Sequence, residues 1–533
     1  MKKIYLMIAL VASLGIFSAC SDDDYTSKYD NPAQTTKASC DKLMTGVFYA
    51  GKDYTYNTYW RMYTWDNGII GKYAQTIGFT NSPGSMYSAQ DSYANNRWEN
   101  FYKVLANFRA LQNVYENESE NDQKNDKIFL LLSEIFLYDH LSQIIDFWGD
   151  VPFEQAGYLA ITGDVAGSYA SYDDAVTLYT HILSRLGELA TEVSALSNNL
   201  SPIAAAALPA QDFLCKGDLN KWVKYCNDLR LRLAVRVASQ GDLASTGRAA
   251  VAEILNGHKS ISSSFSDNIS LVGDNGSTDE FNFSDAIRDG YKDHSRANQA
   301  MLDVLLTADK VGYNDYRLPI MYSTNAAGDY KGLSTHEEYG DQETNIALVE
   351  AKRVYSRIDS TTVIYNQYLR HPIISTAEVD FLRAEAYQQG WANGDAKEAF
   401  IDGVVNSTKY YFDCNAASES TYGFTGTEPA ESDVRAFAEA LWNKATNKLE
   451  VIIEQKWLNF GFLQPSQAWN EVRRTGYPVL YFPTDATAQV LKNAPNRVRY
   501  PSSERNNNAT NYNNAVQKMG GTDDAYIKLF WAK

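Results

Sequence analysis

Between Asp41 and Arg97 the chain interleaves flat apolar rings with flat polar groups. The rings are Phe48, Tyr49, Tyr54, Tyr56, Tyr59, Trp60, Tyr63, Trp65, Tyr73, Phe79, Tyr87 and Tyr93. Among them stand Asn57, Arg61, Asp66, Asn67, Gln75 and Asn81. This density exceeds the 13% aromatic content of the whole chain. A sugar ring has apolar C–H faces and a rim of hydroxyls. It binds by lying on an aromatic plane while amides, Arg and carboxylates take the hydroxyls. Any single ring here reads as packing, but the segment as a whole reads as containing ligand contacts. Trp65, Tyr73, Phe79 and Tyr87 are the ring candidates, with Arg61 and Asn81 as polar partners. Phe283 and Tyr313, from a second aromatic stretch, are expected on the same face. Trp60 reads equally as ligand-facing or core.

Catalytic patterns are thin. Histidines stand at 140, 181, 258, 294, 336 and 371, none in an HExxH pattern or at metal-ligand spacing. His140 sits on an apolar helix and reads as structural. There is no GxSxG elbow, P-loop or GxGxxG. No cofactor or metal is expected. A glycosidase needs two carboxylates roughly 5–9.5 Å apart. The 65 acidic residues supply many pairs, and their order singles out none. The chain reads as a binder rather than an enzyme.

The bulk charge narrows the partners. A net charge of −17 repels phosphate backbones and anionic lipid surfaces, so nucleic acid is a poor partner. The start of the chain supplies another route to a membrane. Lys2 and Lys3 precede the apolar run Ile4 to Phe17, then come Ser18, Ala19 and Cys20. This reads as a signal peptide, residues 1–19, ending at a lipidation cysteine. Ser21-Asp22-Asp23-Asp24 resembles the export tag of some surface lipoproteins. Residues 20–37 are polar and read as a tether reaching about 55–60 Å when extended. Cys40, Cys215, Cys226 and Cys414 read as buried thiols, with a Cys215–Cys226 disulfide as the alternative. After the signal, apolar runs such as Ile128–Phe136 are too short to span a bilayer and read as buried helix.

Helical periodicity dominates residues 38–533, read as one domain. Trp98, Phe101, Tyr102, Leu105 and Phe108 form one stripe. Asn121–Phe147, Tyr172–Leu196 and Asp218–Gln240 follow as helices. Thr376–Gln388 with Asp395–Phe412, and Glu431–Asn443 with Asn447–Phe460, read as helix hairpins of tetratricopeptide type without a strict repeat. Tyr49–Asn96 and Ser260–His371 read as ordered non-helical elaborations. The fold class is all-α: a helix-pair scaffold whose long loops form the ligand face.

Several strings resemble the SusD/RagB family of surface nutrient-binding lipoproteins. They are Asp146-Phe147-Trp148-Gly149-Asp150-Val151-Pro152-Phe153; Trp222 with Asn227 to Ala234 (NDLRLRLA); Glu378 to Trp391 (EVDFLRAEAYQQGW); Glu454-Gln455-Lys456-Trp457 with Trp469 to Pro478; and Arg499-Tyr500-Pro501 with Glu504 and Asn508. One departure is Asp315-Tyr316-Arg317-Leu318, where many relatives carry Pro at the second position. The resemblance implies an all-helical fold with four tetratricopeptide-like pairs. It also implies a SusC-type TonB-dependent outer-membrane barrel as partner, and delivery of a captured nutrient to it. The Trp-Gly-Asp-Val-Pro and Arg-Arg-Thr-Gly-Tyr-Pro strings read as structural turns and ion pairs.

The expectation is a lipid-anchored, surface-exposed outer-membrane protein that binds oligosaccharide. A peptide-binding version of the scaffold and a surface glycoside hydrolase are the alternatives. The anchor is testable alone. Cys20→Ala should abolish incorporation of a fatty-acid probe and release the protein from membranes; equal labelling of the variant refutes the lipidation site.

Overall fold

The computed structural model describes residues 38–272 and 295–532. The signal, Cys20, the tether and Phe283 lie outside them.

The longest helix, Glu120–Trp148, organises the first half. Ser119 caps it, accepting the Asp122 backbone N–H at 3.3 Å. Its most apolar stretch has the composition of a membrane span, yet 83% of that stretch is buried inside the protein. Helices Cys40–Ala50, Asp91–Glu116 and Ala175–Ser197 pack around it. Burial on every side explains why its apolar residues show no single stripe. The helix ends at Gly149, whose φ of +85° suits only a residue without Cβ. Leu219–Ala238 packs between Ala175–Ser197 and Ala244–Leu255.

The second half is the expected series of hairpins. Ser375, Asp395 and Asn447 cap Thr376–Gln388, Ala396–Ala417 and Lys448–Phe460, each accepting a backbone N–H three residues on. Thr376–Gln388 and Ala396–Ala417 approach so closely that a Cβ on Gly403 would meet the Phe381 ring at 2.7 Å. Ala384 and Ala386 on the first of these helices are fully buried. Two short antiparallel ladders, Ile269–Leu271 with His371–Ile374 and Tyr322–Ser323 with Arg357–Ile358, fasten the loop region to this frame.

Three expectations are corrected or settled. Tyr49–Asn96 is partly helical: Lys52–Thr55 is followed by a wide π-helix, Trp60–Ile70, running into Gly71–Ala74. A π-helix bonds i to i+5, so its buried residues miss the 3.6-residue period that reveals ordinary helices. The four described cysteines are free buried thiols, so Cys215 and Cys226 are not bridged. At the departure Asp315-Tyr316-Arg317, Arg317 folds back on Asp315 at 2.6 Å and Tyr316 packs on Phe437.

Charged groups thread the core. Lys456 Nζ lies 2.8 Å from Glu385 and 3.0 Å from Glu471. Arg474 reaches Glu385 at 2.6 Å and also holds Glu471. All four are buried. Burial pushes the Glu471 carboxyl up, but Arg474 and Lys456 outweigh it and hold the carboxyl below its usual range. A depressed native pKa means the unfolded chain binds the proton better. The resulting stability is complete above the unfolded carboxylate value of ~4.3 and is lost as pH falls through the native one. Resistance to urea should therefore weaken with acidification below that value, and less steeply in Glu471→Gln. Lys456→Met leaves two buried carboxylates short of a partner and should cost about 3–5 kcal/mol. An unchanged urea midpoint for Lys456→Met refutes the account.

Candidate functional site

The four candidate rings lie in the core. Trp65, Tyr73, Phe79 and Tyr87 expose only 1, 2, 3 and 0% of their surface, so none offers a face for stacking. Trp65 packs against Phe147 and Trp148 at centroid distances of 4.9 and 5.6 Å. Tyr73 donates its hydroxyl to the Tyr87 carbonyl at 2.9 Å, and Tyr87 donates to the Pro483 carbonyl at 2.6 Å. Asn81 donates its amide to the carbonyls of Ser334 and Glu337, at 3.2 and 2.7 Å. Tyr313 is exposed but rests on Phe437 and Tyr316, among the hairpins. The expectation of stacking platforms is corrected: long loops need a local core, and these rings supply it.

Arg61 and Trp65 do meet, around an internal polar cavity of about 40 Å³ shared with Asp66, Arg97, Asp139 and His140. Arg61 donates to the Tyr54 carbonyl at 3.0 Å and faces Asp66 at 3.4 Å. Burial raises Asp66 to about 6 against the pull of Arg61, and lowers His140 to about 3. Such a cavity accommodates a few waters. His140 is the structural histidine the sequence suggested, its ring against Phe136 at 4.5 Å.

The buried rings hold up a face built by other residues. Gln75 donates to the Tyr481 carbonyl at 2.7 Å, and Gly84 donates its backbone N–H to Asp485 at 2.9 Å. Loops 75–88, 334–342 and 477–485 are thereby locked together. His336 and Tyr481, both exposed, stack at 4.2 Å with their planes 9° apart. The 477–485 segment also walls a groove of about 570 Å³, lined by Tyr73, Trp469, Arg473, Tyr477, Phe482 and Asn496 among others. That volume falls within the ~300–1,000 Å³ range of ligand pockets. The Arg473 guanidinium lies 3.5 Å over the Trp469 ring and donates to the Asn496 carbonyl at 2.8 Å. Burial lowers Arg473 to about 9 despite Asp146 nearby. Rings beside planar donors are the chemistry first sought between Asp41 and Arg97. The pointer that could have found this face is the aromatic run Tyr477, Tyr481, Phe482.

A second aromatic surface sits at the start of the π-helix. Tyr59 and Tyr63 stack at 4.8 Å and 17°, with Trp60 edge-on to Tyr59 at 5.5 Å. Trp60 is 37% exposed, which settles its side as outward.

Among the described residues, Cys40, Glu118 and Asp126 bring ligand-type atoms within 4.8 Å of one another. Burial and then Glu118 push the Cys40 thiol far up, so it keeps its proton and donates to Glu118 at 3.4 Å. That is a hydrogen-bonded thiol, not a thiolate ligand.

The packing role is measurable. Tyr87→Ala and Trp65→Ala should each cost about 3–5 kcal/mol of stability, with a lower melting temperature. A variant that melts like wild type but loses ligand would return its ring to the binding site.

Comparison with known proteins agrees with this architecture. No curated protein matches the chain by sequence. A solved chitin-binding protein is 22% identical, covers 92% of this chain and 99% of its own, and superposes with a TM-score of 0.71. A SusD homologue from Bacteroides fragilis is 20% identical over 92% and 99% of the two chains, TM-score 0.71. A chitin-binding SusD homologue from Flavobacterium johnsoniae is 20% identical over 92% and 98%, TM-score 0.66. The model of the SusD-like family, described as starch-binding and associating with the outer membrane, matches residues 32–501, so the chain belongs to that family of glycan-binding proteins, which are not enzymes.

Proposed function

We propose that this protein captures an oligosaccharide at the cell surface, in the groove walled by residues 477–485. It hands the glycan to a SusC-type TonB-dependent barrel while the lipid on Cys20 holds it to the outer membrane. The observation that carries the reading is the groove of about 570 Å³, where the partly exposed Tyr477, Phe482 and Asn496 stand over a buried floor of Trp469 and Arg473. Apolar walls take sugar C–H faces, and the Tyr477 hydroxyl and Asn496 amide take hydroxyls. Next to Phe482 in the chain, Tyr481 stacks on His336 as a further exposed aromatic surface. Chitin is the first ligand to try, because two similar solved structures are named as chitin-binding. Starch is the second, from the family description.

Calorimetric titration with N-acetylglucosamine oligomers and with maltooligosaccharides tests this. Phe482→Ala and Tyr481→Ala should each weaken the better ligand about tenfold to a hundredfold, the worth of an apolar ring at ~1.5–3 kcal/mol. Their melting temperatures should stay near wild type. Loss on Trp60→Ala instead would place the glycan at the π-helix. Binding to extended peptides but to neither sugar series would overturn the glycan reading.

A further inference from the structure

Tyr365 and Tyr422 form an exposed aromatic pair that takes no part in the groove. Their rings lie 5.6 Å apart at 61°, with 40% and 82% of their surfaces in water. We propose that this pair is a second glycan contact, which holds a further stretch of a long polysaccharide whose other part occupies the groove.

The loop that carries Tyr422 is built to hold it outward. Gly423 donates its N–H to the Thr361 hydroxyl at 2.7 Å, and Phe424 donates its own to Asp359 at 2.8 Å. Asn415 donates its amide to the Phe424 carbonyl at 3.1 Å, and the Phe424 ring packs on Phe412. A Cβ on Gly423 would meet the Thr361 nitrogen at 2.6 Å, so glycine is what permits this approach. Single apolar side chains scattered on a surface are ordinary. Tyr422 differs, because the backbone beside it is tied down while its ring stays in water against a second ring. Polar groups follow closely in the chain. Exposed Glu419 accepts from the Gln367 amide at 2.7 Å and from the Tyr368 hydroxyl at 3.1 Å. A carboxylate offers about four acceptor positions, which leaves room here for sugar hydroxyls. Ring faces beside hydroxyl acceptors suit a neutral sugar. Arg370, in the same segment, is paired with Asp413 at 3.0 Å and offers no free charge to an anion. A stable protein partner needs about 800 Å² on each side, far more than two tyrosine rings present. One or two sugar residues need no more than these rings.

The inference rests on the glycan reading and adds a preference for polymer over short oligomer. Affinity electrophoresis of the mature chain in gels holding soluble glycol chitin or amylopectin reads retention by polymer. Titration with oligomers of the retaining sugar reads the groove. Tyr422→Ala should weaken polymer retention about tenfold, because two contacts on one chain reinforce each other. It should leave the melting temperature and the oligomer affinity as in wild type. Phe482→Ala should keep part of the retention, and Tyr422→Ala combined with Phe482→Ala should lose it. Wild-type retention of Tyr422→Ala, or complete loss of retention in Phe482→Ala alone, would overturn the second contact and leave the groove standing. A wild-type chain retained by neither polymer would overturn the glycan reading and this site together.

Discussion

Four buried charges set the terms for the rest of this structure. Lys456 and Arg474 face Glu385 and Glu471 with all four out of water. Each desolvated ion costs several kcal/mol, so the cluster is tolerable only when every member keeps its partners. That condition fixes the mutual position of helices Thr376–Gln388, Lys448–Phe460 and Pro465–Thr475. The same device continues outward. Arg232 joins Leu219–Ala238 to Glu378, and Arg236 joins it to Asp146 on Glu120–Trp148. An apolar core tolerates small slips, whereas directional ion pairs do not. The tetratricopeptide-like pairs are therefore pinned in register by charge as well as packing.

The groove inherits its rigidity from this arrangement. Trp469 and Arg473 occupy the same helix as Glu471 and Arg474. Asp146, paired with Arg236, accepts from Asn470, and Asn470 in turn accepts from Arg473. The floor of the groove is one step from the buried network. A ligand met by groups already fixed loses little affinity to ordering them. The walls are held differently, by single side-chain-to-backbone bonds such as Gln75 to Tyr481 and Tyr87 to Pro483.

The frame was legible in the sequence because its causes are local or repeated. Caps at Ser375, Asp395 and Asn447, small residues at the Thr376–Gln388 hairpin, and Gly149 all act where they stand in the chain. The Arg-Arg-Thr-Gly-Tyr-Pro string read as structural, and the structure supplies the reason: Arg474 pairs with buried Glu385, as Arg232 does with Glu378 in two other family-like strings. The π-helix escaped notice because its period is not 3.6. The face escaped because it is assembled from residues far apart: Gln75 and Tyr481 are 406 positions apart, and Asn81 and Glu337 are 256. Nothing local marks such a meeting.

Aromatic density by itself was an ambiguous sign, and the ambiguity is physical. A ring that binds sugar and a ring that anchors a loop both bury apolar area and both use a polar edge. Tyr73 and Tyr87 spend their hydroxyls on backbone carbonyls inside the protein. A tyrosine in a long irregular segment must do so, because such segments leave many carbonyls without regular partners. The denser the rings in a loop, the more of them that loop needs for its own core. The rings left for a ligand are those whose neighbours have already been satisfied. Here that condition moves the search from the densest segment to the sparser run at 477–482, which the dense segment supports.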